Sequence, residues 1–259
     1  MLKVRLMPTL LYKDVGLVKG VRFDSARRVG ALMQAVKVYE MRGVDELVFL
    51  DITATSAGRR PDFELVDDFA DECFMPLTVG GGVRSVEDVT ELLARGADKV
   101  AVNTAAVTDP ELISRIATRF GSQCAVVSID AKRVDGGYRV FTHSGQEPTD
   151  LDPVTLAMRA EALGAGEILL TSIDQDGTLE GYDIELVRAV ADAVSIPVIA
   201  SGGAGTYEHM HSALTEGHAS ALASAAMYHF TQATPLEAKR FLRDRGVNVR
   251  LPEMTGAAS

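Results

Sequence analysis

Pro76-Leu77-Thr78-Val79-Gly80-Gly81-Gly82 and Pro197-Val198-Ile199-Ala200-Ser201-Gly202-Gly203 are two versions of one passage set 121 residues apart. Each is a short apolar run of the kind a buried parallel strand carries, ending in glycines just ahead of a helical period. The same offset lays Glu87, Leu93 and Gly96 over Glu208, Leu214 and Gly217. It also lays Asp45-Glu46-Leu47-Val48-Phe49-Leu50 over Gly166-Glu167-Ile168-Leu169-Leu170-Thr171. Strand–helix units resemble one another in general, but a single offset shared by several of them points to a duplicated half.

Outward from these passages, β-branched runs near 4–10, 45–51, 75–79, 98–103, 124–130, 166–171, 197–201 and 219–224 predict strands. Helical periods fall between them over 26–41, 85–95, 109–119, 153–163, 183–193 and 206–215, with caps read at Ser85 (Glu87 following), Asp109-Pro110 and Thr206 (Glu208 following). Eight such units predict an α/β fold, a (β/α)8 TIM barrel with a two-fold half-barrel repeat, as one domain over 1–259. The halves run over about 1–122 and 123–245, and 251–259 reads as a flexible tail. The longest interruptions, 15–24 and 134–149, follow strands and so belong at the C-terminal mouth, where barrels place binding loops. Gly136-Gly137-Tyr138-Arg139-Val140-Phe141 reads as a small hairpin there.

Composition narrows the partners. The chain of 259 residues has the usual size of one such barrel, and 47% hydrophobic with 24% charged residues is ordinary globular usage. No apolar run approaches the roughly 20 residues that span a membrane. A net charge of -10 argues against nucleic acid as the main partner, so any anionic ligand must be gripped locally. The apolar stretch of Met1-Leu2-Lys3-Val4-Arg5-Leu6-Met7-Pro8 is too short for a signal peptide, and Cys73 and Cys124 lack ligand spacing. We therefore expect a cytoplasmic protein with buried thiols. His143, His209, His211, His218 and His229 show no ligand spacing either and read as surface or loop residues, so neither metal nor cofactor is expected.

Gly80-Gly81-Gly82, lying between a strand and a helix, lets backbone N–H groups approach an anion closely, and Gly202-Gly203-Ala204-Gly205 repeats the arrangement half a barrel away. Each has a neighbour after the next strand, Asn103-Thr104 and Ser224-Ala225-Ala226. Two such grips facing each other suit a substrate with a phosphate at either end. Polar residues at strand ends are the other candidates: Asp51, Asp130, Thr171, Asp174, Asp176 and Ser201, with Lys19 on the first long loop. Asp130 ends an apolar strand and is favoured as a general acid or base, whereas Asp51 and Asp174 are as readily explained by bonds to loop N–H groups. At the opposite strand ends stand Arg5, Glu46, Lys99 and Glu167, enough charge for a ring of ion pairs that either plugs or gates the bottom of the core.

Several passages together resemble the cyclase subunit of imidazole glycerol phosphate synthase. They are Phe49-Leu50-Asp51-Ile52-Thr53-Ala54, the stretch from Leu77 to Asp88, Phe120-Gly121-Ser122-Gln123-Cys124, the stretch from Gly164 to Asp174, and Ile199-Ala200-Ser201-Gly202-Gly203-Ala204-Gly205. The resemblance implies a glutaminase subunit docked at the N-terminal face, releasing ammonia that passes a charged gate and crosses the barrel. It places the gate at Arg5, Glu46, Lys99 and Glu167. It places one phosphate site at Gly82, Asn103 and Thr104, and the other at Asp176, Gly177, Gly203, Ala225 and Ala226. Lys19, Asp51, Thr171 and Ser201 match substrate-site positions.

One departure qualifies the implied activity. The family closes its imidazole ring with two carboxylates and normally ends its first strand in a Cys-Leu-Asp-Val type motif. Here that strand reads Pro8-Thr9-Leu10-Leu11-Tyr12-Lys13, with Leu11 at one catalytic position and Asp130 at the other. The Leu-Leu-x-Lys opening resembles a divergent branch associated with surface-polysaccharide genes. That resemblance implies ammonia supplied to an ATP-dependent amidotransferase that turns a sugar acetamido group into an acetamidino group. Thr142-His143-Ser144-Gly145-Gln146-Glu147-Pro148-Thr149 fits either branch, while Leu77-Thr78-Val79-Gly80 and His229-Phe230 resemble the histidine branch. A non-catalytic conduit and docking subunit is the third reading.

Overall fold

The structure is a computed structural model that describes residues 3–14 and 16–251. The tail expected over 251–259 thus lies, apart from Leu251, outside the described residues, as does Val15 of the first long loop. The elements begin with β1 (Arg5–Lys13), β2 (Gly16–Val21), β3 (Asp24–Gly30), α1 (Leu32–Met41), β4 (Leu47–Asp51), α2 (Phe63–Ala70), β5 (Leu77–Gly80), α3 (Val86–Ala94) and β6 (Lys99–Val102). There follow α4 (Thr104–Thr108), α5 (Glu111–Phe120), β7 (Ala125–Val134), β8 (Gly137–Thr142), β9 (Glu147–Pro148), α6 (Pro153–Ala162) and β10 (Glu167–Ser172). The last are α7 (Ile184–Ala191), β11 (Val198–Ser201), α8 (Tyr207–Thr215), β12 (Ala221–Ser224), α9 (Ala226–Phe230) and α10 (Pro235–Asp244).

Eight of the strands, β1, β4, β5, β6, β7, β10, β11 and β12, pair in parallel, and the pairing of β10 with β7 and of β12 with β1 closes them into a barrel. All eight strands expected from sequence are present. Six helices also form near their expected places, but the first starts at Leu32 instead of residue 26. The reason is local. Residues Asp24–Gly30 pair antiparallel with β2, and the two-residue turn between them, Arg22-Phe23, has both φ angles positive (56° and 61°). That is the type I′ geometry whose twist suits a hairpin, here built without the usual Asn-Gly. The one hairpin expected from sequence, over 136–141, has other bounds: residues Gly137–Thr142 form the single strand β8, which pairs with β7 around a turn at Asp135-Gly136 that carries the ordinary turn chemistry. The caps need two corrections. Ser85 makes a reciprocal capping box with Asp88, not Glu87, and Asp109 ends α4 instead of capping α5, its carboxylate pairing with Arg115 at 2.5 Å. Thr206 accepts from the His209 N–H as expected.

Inside the barrel the strand registers sort the inward side chains into layers of four drawn from alternate strands. Lowest are Glu46, Lys99 and Glu167, with Arg5 beside them. Above lie Met7, Thr78, Val126 and Ile199, then Val48, Ala101, Leu169 and Ala223, an apolar belt almost fully buried. Next come Thr9, Gly80, Ser128 and Ser201, then Leu50 and Thr171 from the alternate strands, and at the top Leu11 and Asp130 on β1 and β7. A second, larger apolar core fills the space between the barrel and its helices, with Leu6, Leu10, Phe69, Leu112 and Ile116 among its members.

Candidate functional site

At the C-terminal mouth the loops enclose a cavity of about 630 Å³. Of the mouth residues singled out from sequence it brings together Leu11, Lys19, Asp51, Gly82, Asn103, Thr104, Asp130, Thr171, Asp176, Gly177, Ser201, Gly203, Ala225 and Ala226, whereas Gly80, Gly205 and Asp174 stay outside its lining. Asp174 instead accepts the Arg133 N–H at 2.8 Å, outside the cavity lining.

Asp130 and Leu11 occupy the top layer on β7 and β1, the first strands of the two halves read from the sequence, and so face each other across the axis. Burial, reinforced by the charge of Asp176, pushes the Asp130 carboxyl up to about 7. Near neutral pH it can therefore both take up and give back a proton, which an ordinary carboxylate does poorly. Leu11 has no such capacity. The buried Lys19 ammonium pairs with both oxygens of Asp176 at 2.6 and 2.8 Å. The same hairpin adds Arg22 N–H to Asp176 O at 2.7 Å, so the β2–β3 unit is tethered over the mouth.

Glycines make the two grips possible. Gly203 has φ of 103°, and a Cβ there would collide with the Gly181 carbonyl oxygen; Gly82, at φ of 74°, is crowded by the Arg59 carbonyl. The Gly82 N–H, pointing at the Thr55 hydroxyl 3.1 Å away, is a donor that an anion could take over. Asn103 and Ala225 stand at the starts of the short helices α4 and α9. The Asn103 amide donates to Ser128 O and Phe141 O at 3.1 and 3.2 Å, locking this loop to β7 and β8. Asp51 accepts from the N–H groups of Thr53 (2.8 Å) and Ala54 (3.0 Å), the loop-shaping role weighed against catalysis in the sequence, although it also lines the cavity.

Thr9, Ser128, His143 and Ser144 are among the cavity residues that sequence reasoning did not propose. Thr9 and Ser128 were detectable by strand alternation, two residues before Leu11 and Asp130. His143 does lie in a loop, but one folded over the cavity, its ring 3.0 Å from Glu147, while Ser144 donates to Ile52 O at 2.7 Å across the mouth. That long-range closure has no sequence signal.

At the other end Arg5, Glu46, Lys99 and Glu167 close a ring: Arg5–Glu46 2.8 Å, Glu46–Lys99 2.9 Å, Lys99–Glu167 3.1 Å and Glu167–Arg5 3.0 Å. Thr78 donates to the remaining Glu46 oxygen at 2.7 Å. Burial works to lower the proton affinity of Arg5, but the charges of Glu167 and Glu46 outweigh it and hold the guanidinium more firmly protonated than usual. Among the described residues no group of three or more His, Cys, Asp and Glu could hold a metal ion, and no helix is long and apolar enough to cross a membrane.

Fold and site define a closed (β/α)8 barrel with a glycine-lined mouth, a single top-layer carboxylate and a ring of ion pairs at its base. A family model described as histidine biosynthesis protein matches residues 5–233. The chain is also 52% identical, over 251 residues, to the imidazole glycerol phosphate synthase subunit HisF of Chlorobium luteolum (strain DSM 273 / BCRC 81028 / 2530), across 97% of this chain and 100% of that relative. The chain belongs to the histidine biosynthesis protein family.

Proposed function

We propose that the chain is a cyclase-type synthase subunit of imidazole glycerol phosphate synthase, working on a phosphorylated substrate with ammonia from a separate glutaminase. The observation that carries this reading is one axis with two differently equipped ends: a ring of four paired charges below, a phosphate-suited cavity with Asp130 above, and an apolar belt between. Such a belt passes neutral ammonia and rejects ammonium, whose desolvation is costly. In this scheme the glutaminase docks on the N-terminal face and the ring of Arg5, Glu46, Lys99 and Glu167 admits ammonia. Gly82, Asn103 and Thr104 hold one phosphate; Gly177, Gly203, Ala225 and Ala226 hold the other, with Lys19 and Asp176 beside it. Asp130 moves the protons of ring closure, and Asp51, Thr171 and Ser201 complete the substrate site.

Leu11 favours a second reading. With one of two carboxylates replaced by a group that transfers no proton, ring closure loses a factor on the order of 10²–10⁴. The barrel would then deliver its ammonia to an ATP-dependent sugar amidotransferase of surface-polysaccharide synthesis. Expression in a histidine-requiring strain that lacks its own cyclase subunit separates the two. Growth without histidine supports the cyclase reading; absence of growth, with the chain folded and bound to the strain's glutaminase, supports the second.

A further inference from the structure

Two layers beneath Leu11 and Asp130, below the intervening Leu50 and Thr171, lies an interior layer rich in hydroxyls. Thr9, Ser128 and Ser201 supply three hydroxyls to it, and Gly80 supplies no side chain at all. Thr9 and Ser128 face each other across the axis as Leu11 and Asp130 do two residues further along the same strands, and both are only 7% exposed. The Thr9 hydroxyl has no hydrogen-bond partner, although all three hydroxyl residues line the mouth cavity. An orphaned buried hydroxyl costs about 1–3 kcal/mol, so its retention here needs a reason. Below this layer, Val48, Ala101, Leu169 and Ala223 offer a migrating molecule no polar contact.

We infer that the layer of Thr9, Ser128, Ser201 and Gly80 is a docking site for a small, neutral hydrogen-bonding molecule, namely ammonia, at the exit of the barrel interior. The inference rests on the ammonia reading above. Ammonia accepts one hydrogen bond through its lone pair and donates up to three; a hydroxyl donates one and accepts two. Three hydroxyls around a gap left by Gly80 satisfy a guest on several sides, two residues along β7 from the acid–base group Asp130. Neutral hydroxyls also leave the guest uncharged, which a carboxylate in the same layer would not.

The test uses the full-length barrel. Backbone amide shifts at positions 9 and 128 are followed while ammonium chloride is added in mildly alkaline buffer, with potassium chloride at matched ionic strength as the control. Saturable shifts with the ammonium salt alone, lost in Thr9→Val and retained in Thr9→Ser, are expected. In turnover supported by ammonium salt, Thr9→Val should raise the KM for ammonia about three- to tenfold, the loss of one hydrogen bond, and leave the KM for the phosphorylated substrate unchanged. Ser128→Ala should do the same and serves if Thr9→Val misfolds. Equal shifts with both salts, or an unchanged ammonia KM in both variants, would overturn the proposal. Saturable ammonium shifts in a chain that turns over no phosphorylated cyclase substrate would leave the docking site standing and count against the cyclase reading.

Discussion

Asp130 is held at about 7 because burial and the nearby Asp176 charge both disfavour its ionised form. The folded chain therefore keeps a proton that the unfolded chain releases at an ordinary carboxylate value near 3.8. Stability falls as pH rises from that value to about 7 and is flat above it. Asp130→Asn removes this penalty, so urea unfolding should show a gain on the order of 2–4 kcal/mol at pH values above neutrality and little gain at pH 3.8 or below. The same substitution should reduce turnover by about 10²–10⁴-fold, and in the unaltered chain the base-dependent rate should rise with pH through neutrality. Asp130 itself was legible in the sequence, since it ends the apolar run Cys124–Ile129. Cys124, by contrast, lies in the 3-10 turn before the strand, its thiol turned to the Phe120 carbonyl at 3.4 Å. The altered proton affinity of Asp130 was not legible, because it depends on the enclosing loops and on a residue 46 positions away.

Two hairpins distinguish this barrel from a bare repetition of strand and helix. Each extends the first strand of its half, β1 or β7, and each bends over the mouth. The β7–β8 hairpin was readable because Asp135-Gly136 is good turn chemistry. The β2–β3 hairpin was not. Arg22-Phe23 gives no turn signal, and 26–41 as a whole passes for helix until pairing with β2 claims residues 26–30. Tertiary bonds compensate for that strained turn, chiefly the Lys19–Asp176 pair and the Arg22 contact with Asp176 O. Lys19→Met should free the hairpin. Limited trypsin digestion is expected to cut at Arg22, Arg27 or Arg28 several-fold faster than in the unaltered chain, and the KM for the phosphorylated substrate should rise about tenfold as the charge-assisted contact is lost. An unchanged cleavage rate would show that the tether contributes nothing.

At the scale of the molecule, a polar base, an apolar belt, a hydroxyl layer and an acidic, glycine-lined mouth are stacked along one axis. The order of these layers follows from strand alternation and barrel shear, so the eight strands and the charged strand starts could be anticipated from sequence alone. Ring closure among Arg5, Glu46, Lys99 and Glu167 needed the registers as well. Lys99→Met opens that ring and leaves Glu46 and Glu167 to Arg5 alone. The expected cost is on the order of 3 kcal/mol in unfolding, together with a several-fold fall in glutamine-supported turnover relative to ammonium-supported turnover. Equal falls in both would show that the ring is structural.

The most direct measurement of the central claim is product formation from the doubly phosphorylated substrate of imidazole glycerol phosphate synthase and ammonium salt, by the chain as it stands and by Leu11→Asp. A site built for ring closure but short of one carboxylate predicts slow turnover that Leu11→Asp raises by 10-fold or more, about 1.4 kcal/mol of barrier. No product from either protein, with both folded and the precursor shown to bind, would contradict the assignment of this mouth to ring closure.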